Sequence, residues 1–167
     1  MIKKPSFFHH LRDVLILPVT ITILAPYYLR PHFVTGYALF KISGIALGLA
    51  GSSLFLYTVF LFGTLGKGTL APWSPKQKLV VAGPYRYCRN PMITGVLCIL
   101  SAEALFFHSA DLLIWMGSFF VFNTLHFVIW EEPDLEEKFG NDYRVYKKHV
   151  PRWISRIKPF DPDLQQD

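Results

Sequence analysis

Apolar stretches without charge alternate with charged segments along this chain. Charge-free stretches run from Val14 to Leu29, from Ile42 to Gly66 and from Leu112 to Trp130. A fourth candidate runs from Pro91 to about Phe107 and contains one charged residue, Glu103. Each is close to the roughly 20 residues that an α-helix needs to cross the hydrocarbon of a bilayer. The pattern predicts an all-α, multi-pass membrane helical bundle with about four transmembrane helices and short helices after them.

The composition and the segments between the spans fit this architecture. Hydrophobic residues make up 51% of the chain and charged residues 17%, whereas soluble domains are about one quarter charged. Pro133 and Gly140 are typical of the start and the end of a short helix. We expect one membrane-embedded domain over residues 1–167, with the first two spans in 1–66, a cytosolic loop in 67–90, the last two spans in 91–131 and cytosolic helices in 132–158.

The basic residues predict the orientation in the membrane. Of the 17 Lys and Arg residues, only Arg30 and Lys41 lie between the first and second spans. Because short cytoplasmic loops retain Lys and Arg, both termini and the central loop are expected in the cytosol. We expect the membrane itself to be a bacterial inner membrane. The net charge of +5 is spread around the spans, so anionic lipid headgroups explain it better than nucleic acid does. We expect a monomer whose partners are membrane lipids, with no nucleic-acid partner.

The start of the predicted third span holds the first candidate site. Asn90 followed by Pro91 is typical of a helix start, with a capping side chain and a preset φ. A helix amino terminus attracts anions, and Arg86 and Arg89 lie just before it, where they could hold a carboxylate. Gly95 leaves room for a ligand or for another backbone. The alternative is an ordinary capped span flanked by arginines of the positive side.

The end of the predicted fourth span holds the second candidate site. At about 100° per residue, Asn123, His126 and Trp130 share one helix face, and Glu131 lies beside it. Ionisable residues at membrane depth are costly and are often functional. Alternatively, His126 bonds to a neighbouring helix, and Glu131 and Glu132 simply open the next helix. Two arginines and two carboxylates at one membrane face suit a zwitterionic ligand such as an amino-acid moiety.

Other polar and small residues carry weaker signals. Gly44, Gly48 and Ser52 recur every four residues, which predicts close packing against another helix. Glu103 lies about 18 Å along the third span from its start, so it lies either near the outer interface with His108 or in a substrate cavity. The histidines are scattered without ligand spacing, and we therefore expect no metal site.

Several short runs in the carboxyl-terminal half carry a family resemblance. They are Gly83-Pro84-Tyr85-Arg86-Tyr87, Arg89-x-Pro91 with Gly95, Glu131-Glu132, Phe139-Gly140 and Val150-Pro151-Arg152-Trp153. In these runs the sequence resembles the isoprenylcysteine carboxyl methyltransferase family and related phospholipid methyltransferases. The resemblance implies a helical membrane enzyme that binds S-adenosylmethionine in a pocket between the start of the third span and the end of the last one.

The resemblance also implies roles for individual residues. It implies that Arg89, Pro91, Gly95, Glu131 and Glu132 bind the cofactor, and the chemistry of the same two stretches adds Tyr85, Arg86, Asn90 and His126 to the candidate cofactor-binding residues. From the chemistry of methyl transfer, the candidate catalytic residues are Glu131, Arg144 and Arg152. Arg144 or Arg152 could position a carboxylate acceptor, and Glu131, Glu132 or His126 could take the proton of an amine acceptor. Asn90 and Ile93 depart from the family motif, which usually has His and Tyr at these positions.

Three functions remain open from the sequence. The first is an S-adenosylmethionine-dependent methyltransferase that acts on a lipidic or hydrophobic acceptor, either a carboxylate or an amine. The second is a membrane reductase that uses NADPH, because distantly related sterol reductases are similar in their last helices. The third is a non-catalytic membrane protein that retains the fold.

Overall fold

The structure, a computed structural model, describes residues 20–29, 37–65 and 79–161, which form helices and connecting segments without any β-strand. The helices are α1 (Thr20–Leu29), α2 (Ala38–Leu65), α3 (Pro91–Phe107), α4 (Ala110–Phe139) and α5 (Asn141–His149). A short 3₁₀ turn, Gly83–Arg86, precedes α3. The predicted all-α class is confirmed for the described part of the chain.

Two of these helices are long and apolar enough to cross a membrane, α2 through Ala38–Leu61 and α4. Helix α3 has 17 residues, which is at the short end of what a bilayer needs, and its bounds agree with the prediction. The predicted first span lies partly outside the described residues, and α1 is its described part. The structure therefore supports a multi-pass bundle but does not confirm the predicted count of four spans.

Helices α2 and α3 pack closely because glycines of α2 face the backbone of α3. A Cβ on Gly44 would lie 2.9 Å from the carbonyl oxygen of Ala102, and one on Gly51 would lie 2.7 Å from Cys98 Cβ and 2.8 Å from the carbonyl oxygen of Gly95. Small residues allow such approaches between helices in lipid. The predicted packing role of the small-residue stripe is confirmed, and Gly51 belongs to it as well.

Helix α4 contains a π-helical turn, Phe127–Glu131, just before its charged end. A π turn adds one residue to the helical turn, so faces assigned at 100° per residue do not hold past it. As a result Glu132 is 5% exposed, whereas Glu131 is only half-buried. The charge-free part of α4, residues 112–130, is the part we assign to the membrane, and Glu132 lies beyond it.

The predicted cap of α3 is wrong in detail. The Asn90 side chain makes no capping hydrogen bond to α3; the backbone carbonyl oxygen of Asn90 accepts hydrogen bonds from Thr94 N and Thr94 Oγ1, both at 3.0 Å. Gly140 stands at the cap of α5, with a φ of 56°. A glycine adopts this positive φ without the steric cost that a side chain would incur there.

The segment that contains the 3₁₀ turn and leads into α3 pairs with the segment that follows α5. We call residues 83–90 the entry segment and residues 150–161 the C-terminal segment. Arg89 N donates to Pro151 O at 2.9 Å, Arg156 N to Tyr87 O at 3.0 Å and Phe160 N to Arg86 O at 2.9 Å. Residue numbers rise along the entry segment while those of the bonded partners fall along the C-terminal segment, so the two segments run antiparallel.

Candidate functional site

A buried carboxylate, Glu132 of α4, connects four parts of the chain. Arg89 Nη1 lies 2.8 Å from Glu132 Oε1, and Arg152 Nη2 lies 2.7 Å from the same oxygen. Lys147 Nζ of α5 lies 3.1 Å from Glu132 Oε2. We call these four residues the Glu132 cluster. It joins the entry segment, α4, α5 and the C-terminal segment, so the two stretches predicted to form a site do meet.

The charges of this cluster are held in a partly dry environment. The side chains of Glu132 and Arg89 are 6% and 10% exposed, and that of Arg152 is 24% exposed. Burial alone would raise the pKa of Glu132, but hydrogen bonds from Arg152 and Lys147 and the charge of Arg89 outweigh it, so the pKa lies below its ordinary value. Hydrogen bonds to Glu136 and Glu132 raise the pKa of Lys147. Glu132 and Lys147 are therefore both charged at neutral pH.

Three buried N–H donors near these segments have no hydrogen-bond partner among the described residues. They are Arg89 Nε, Trp153 Nε1 and Arg156 Nη1. A buried donor without an acceptor costs about 1–3 kcal/mol, so native structures seldom leave one unused. The three donors lie on the paired entry and C-terminal segments, and each of them lacks the acceptor oxygen that a ligand would bring. Sequence reasoning assigned no role to Trp153 or Arg156, although Trp153 ends the Val-Pro-Arg-Trp run.

The structure does not bring Arg86 into the Glu132 cluster. Arg86 Nε donates to Phe160 O at 2.6 Å, and Nη2 lies 3.1 Å from Asp161. The neighbouring Tyr85 is buried, and its carbonyl oxygen accepts a hydrogen bond from Tyr146 Oη at 2.7 Å. Burial raises the pKa of Tyr85, so its phenol stays neutral. Both residues hold the entry segment in place, and cofactor contacts from their side chains stay predictions.

Gly95 and His126 lie in surroundings that explain them without a ligand. A Cβ on Gly95 would lie 3.0 Å from the carbonyl oxygen of Gly51, so close approach to another backbone accounts for this glycine. The His126 ring centroid lies 5.6 Å from that of Trp130 and 6.0 Å from that of Phe127. Cofactor binding by Gly95 and by His126 stays a prediction.

The predicted catalytic residues are placed differently from one another. Arg152 belongs to the Glu132 cluster, where its Nε also donates to Glu132 Oε1 at 2.7 Å. Glu131 lies one residue earlier in α4, at the end of the π turn, and is half-buried. Arg144 is exposed on α5. The structure thus places Arg152 and Glu131 near the candidate site and leaves Arg144 on the surface.

A cavity of about 450 Å³ lies between α2 and the start of α3. Its lining residues are Leu54, Tyr57, Gly83, Pro84, Tyr87, Cys88, Pro91, Thr94 and Ser155. Within the described part of the chain this lining is apolar or hydroxyl-bearing and includes no charged side chain. Of the predicted site residues, only Pro91 contributes to it. The cavity adjoins the entry segment, whereas the Glu132 cluster contributes no residue to its wall.

The Cys88 thiol stabilises this arrangement. It is 2% exposed, and Sγ lies 3.1 Å from Arg152 O. Burial raises the pKa of the Cys88 thiol, which keeps it protonated as a hydrogen-bond donor to the C-terminal segment. Cys88 therefore has the properties of a structural residue.

Comparison with known proteins gives one family. A family model described as phospholipid methyltransferase matches residues 33–142, more than half of the chain. No curated protein and no solved structure matches significantly. The matched range includes Arg89 and Glu132 and ends before Lys147 and Arg152. In the described ranges, no group of three or more His, Cys, Asp or Glu residues is placed to hold a metal ion.

Proposed function

The chain belongs to the phospholipid methyltransferase family, and on this basis we propose that it transfers a methyl group from S-adenosylmethionine to a lipidic or hydrophobic acceptor. Two long apolar helices and the family together identify an integral membrane protein of the methyltransferase type. The same family match favours methyl transfer over the reductase and non-catalytic alternatives. The cofactor, the acceptor and the residues that serve them are the subject of the proposal.

The observation that carries the proposal is the state of the Arg89 side chain. Its guanidinium is 10% exposed and is held by Glu132, yet Nε is buried without a partner among the described residues. Arg89 also precedes the amino terminus of α3, where free N–H groups favour an anion. We propose that Arg89 Nε, with Trp153 Nε1 and Arg156 Nη1, donates to the carboxylate of the amino-acid part of S-adenosylmethionine; the lack of an acceptor at all three atoms among the described residues supports this role.

Residues of the chain would act mainly by binding and orienting. Bound S-adenosylmethionine supplies a methyl group on a positively charged sulfur. Fixed donors around the cofactor carboxylate hold it in one orientation, and orientation with electrostatics can supply much of the rate of such a displacement. Glu132 neutralises the cations that surround it, and it is a poor base because its pKa is lowered.

Proton transfer depends on the acceptor. A carboxylate acceptor is already a nucleophile and needs only a cation such as Arg152 to position it; Arg144, the other predicted cation, is exposed on α5. An amine acceptor must lose a proton, and Glu132 is a poor proton acceptor because three cations engage it. Glu131, the preceding residue of α4, is half-buried and is the glutamate that the sequence predicted to be catalytic. We therefore assign the proton-accepting role to Glu131.

The 450 Å³ cavity beside α2 suits a hydrophobic acceptor. Its volume falls within the roughly 300–1,000 Å³ of ligand pockets, and its described lining is apolar with tyrosine, threonine and serine hydroxyls. A chain from the bilayer could enter past Tyr57, which is 50% exposed on α2. By the distribution of basic residues, we place this end of the bundle in the cytosol.

Calorimetric titration of the detergent-purified protein with S-adenosylhomocysteine tests the proposal. Trp153→Phe keeps an aromatic ring at the position where the Trp153 ring centroid lies 5.3 Å from that of Phe120 and 5.8 Å from that of Phe127, and it removes the N–H donor together with the second ring of the indole. Since a hydrogen bond to a charged group contributes about 1.5–3 kcal/mol, we expect binding to weaken at least tenfold. Lys148→Gln, a change of an exposed cation on α5, should leave binding unchanged.

Two results would count against the proposal. One is equal affinity of the wild type and Trp153→Phe for S-adenosylhomocysteine, which would place the cofactor elsewhere. The other is no binding of S-adenosylhomocysteine together with saturable binding of NADPH in the same titration, which would favour a reductase.

A further inference from the structure

A second cavity lies at the other end of the α2–α3 pair. Its volume is about 190 Å³, and its wall includes Gly44, Ile45 and Gly48 of α2 and Glu103, Phe106 and Phe107 of α3. Glu103 Oε2 is buried and has no hydrogen-bond partner among the residues described. The sequence left open whether Glu103 lies at an interface or in a cavity, and the structure places it in a cavity.

This cavity is remote from the proposed methyl-transfer site. At 1.5 Å per residue, Glu103 lies about 18 Å along α3 from Pro91 and roughly 6 Å from the end of the helix at Phe107. The two cavities share no lining residue. A ligand held at Glu103 would therefore occupy the boundary between headgroups and hydrocarbon at the far side of the bundle.

Among the described residues, Glu103 lacks the partners that an intramembrane carboxyl group usually has. Such groups normally pair with a cation or bond to the facing helix. The facing part of α2 presents Gly44 and Gly48, which have no side-chain donor. Lys41 is exposed on α2, and no ion pair joins it to Glu103. The His108 ring lies 5.2 Å from the Phe40 ring, beyond the end of α3.

The composition of the wall fits one class of ligand. An unpaired carboxylate oxygen attracts a cation, and the faces of aromatic rings such as Phe106 and Phe107 attract an ammonium group further. Ile45 is 53% exposed, so the cavity opens on the outside of the bundle, toward lipid. A volume of 190 Å³ has room for an ammonium headgroup but not for lipid chains, which would remain in the bilayer.

We propose that the Glu103 cavity binds the ammonium group of a hydrophobic amine. The headgroup of an aminolipid supplies this ammonium group. Glu103 forms the ion pair, and Gly48 of α2, where an added Cβ would meet only Ala102 Cβ at 3.4 Å, leaves space for the headgroup. The site does not depend on methyl transfer, because it involves no residue of the entry or C-terminal segment.

The test is retention of defined lipids by the purified full chain, measured by native mass spectrometry. The probes are phosphatidylethanolamine, phosphatidylglycerol and dodecylamine. We expect the wild type to retain phosphatidylethanolamine at least fivefold more than phosphatidylglycerol, and Glu103→Gln to lose this preference. Asp111→Asn, which neutralises an exposed carboxylate in the first turn of α4 at the same end of the bundle, should retain it.

A second variant keeps the carboxylate and reduces the space. In Gly48→Ala the new Cβ would lie 3.4 Å from Ala102 Cβ, an ordinary contact, so the bundle should fold and retain less phosphatidylethanolamine. Retention of dodecylamine but not of phosphatidylethanolamine would support the ammonium site and identify a free amine as its ligand. The proposal would be overturned if Glu103→Gln retained each of the three probes as well as the wild type does.

Discussion

Replacing Glu132 by glutamine should destabilise the protein more than any other neutralisation of a described carboxylate. The variant keeps the shape of the side chain and removes its charge. Arg89, 10% exposed, and Arg152 then lose their anionic partner, whereas Lys147 loses one of two because it also pairs with Glu136. A buried cation without a counter-charge is costly, because it has lost its hydrating water and no carboxylate compensates for that loss.

The magnitude follows from the exposure of each partner. Breaking a buried ion pair by removing one member costs about 3–5 kcal/mol. The side chains of Arg152 and Lys147 are 24% and 38% exposed, so water stabilises part of their charge and the lower end, about 3 kcal/mol, applies. At roughly 2–4 °C per kcal/mol for a chain of this size, the unfolding midpoint should fall by about 6–12 °C.

Glu136→Gln is the matched control for thermal unfolding in detergent. Glu136 also pairs with Lys147, at 2.6 Å, but the two side chains are 31% and 38% exposed, and such surface pairs contribute up to about 1 kcal/mol. The double variant Arg89→Met with Glu132→Gln should recover part of the loss, because it removes the unpaired cation. If Glu132→Gln lowers the midpoint no more than Glu136→Gln does, the reasoning about a buried cluster is refuted.

Two further predictions concern packing and pH. Gly51→Ala should lower the free energy of unfolding by about 1–3 kcal/mol, because its Cβ would lie 2.8 Å from the backbone oxygen of Gly95. Gly117→Ala should be neutral, because no atom lies within 4 Å of its Cβ. Comparable unfolding midpoints of the two variants would contradict the α2–α3 contact. Since the pKa of Glu132 is lowered by folding, its stabilisation is complete above about pH 4.3, the pKa of an unfolded glutamate, and is lost as the pH falls through the folded-state value. The midpoint of the wild type should therefore fall on acidification below about pH 4.3 more steeply than that of Glu132→Gln, and parallel profiles would exclude this contribution.

Local signals in the sequence predicted the parts of the fold that local chemistry controls. Pro91 fixes the start of α3 because proline suits the first helical position. The glycines at Gly44 and Gly48 predicted where α2 meets another helix, because four-residue spacing places them on one face. Both features depend on residues a few positions apart, so their pattern can be seen in a single sequence.

The composition of the candidate site depends on longer-range structure. The π turn Phe127–Glu131 rotates the end of α4 and buries Glu132 rather than Glu131. The residues of that segment have no pattern that predicts a π turn. Arg86 binds Phe160 and Asp161, which are more than 70 positions away, so its direction could not be predicted from its neighbours. For the same reason the donors of the C-terminal segment were not assigned.

The most direct test of the central claim is transfer of a tritiated methyl group from S-adenosylmethionine to a membrane lipid extract by the purified protein. We predict that tritium enters the organic phase, and that Trp153→Phe requires at least tenfold more cofactor for half-maximal transfer, as expected for loss of a hydrogen bond to a charged group. Absence of tritium from the organic phase with folded wild-type protein, or identical cofactor dependence of the two proteins, would contradict a cofactor site at the paired entry and C-terminal segments.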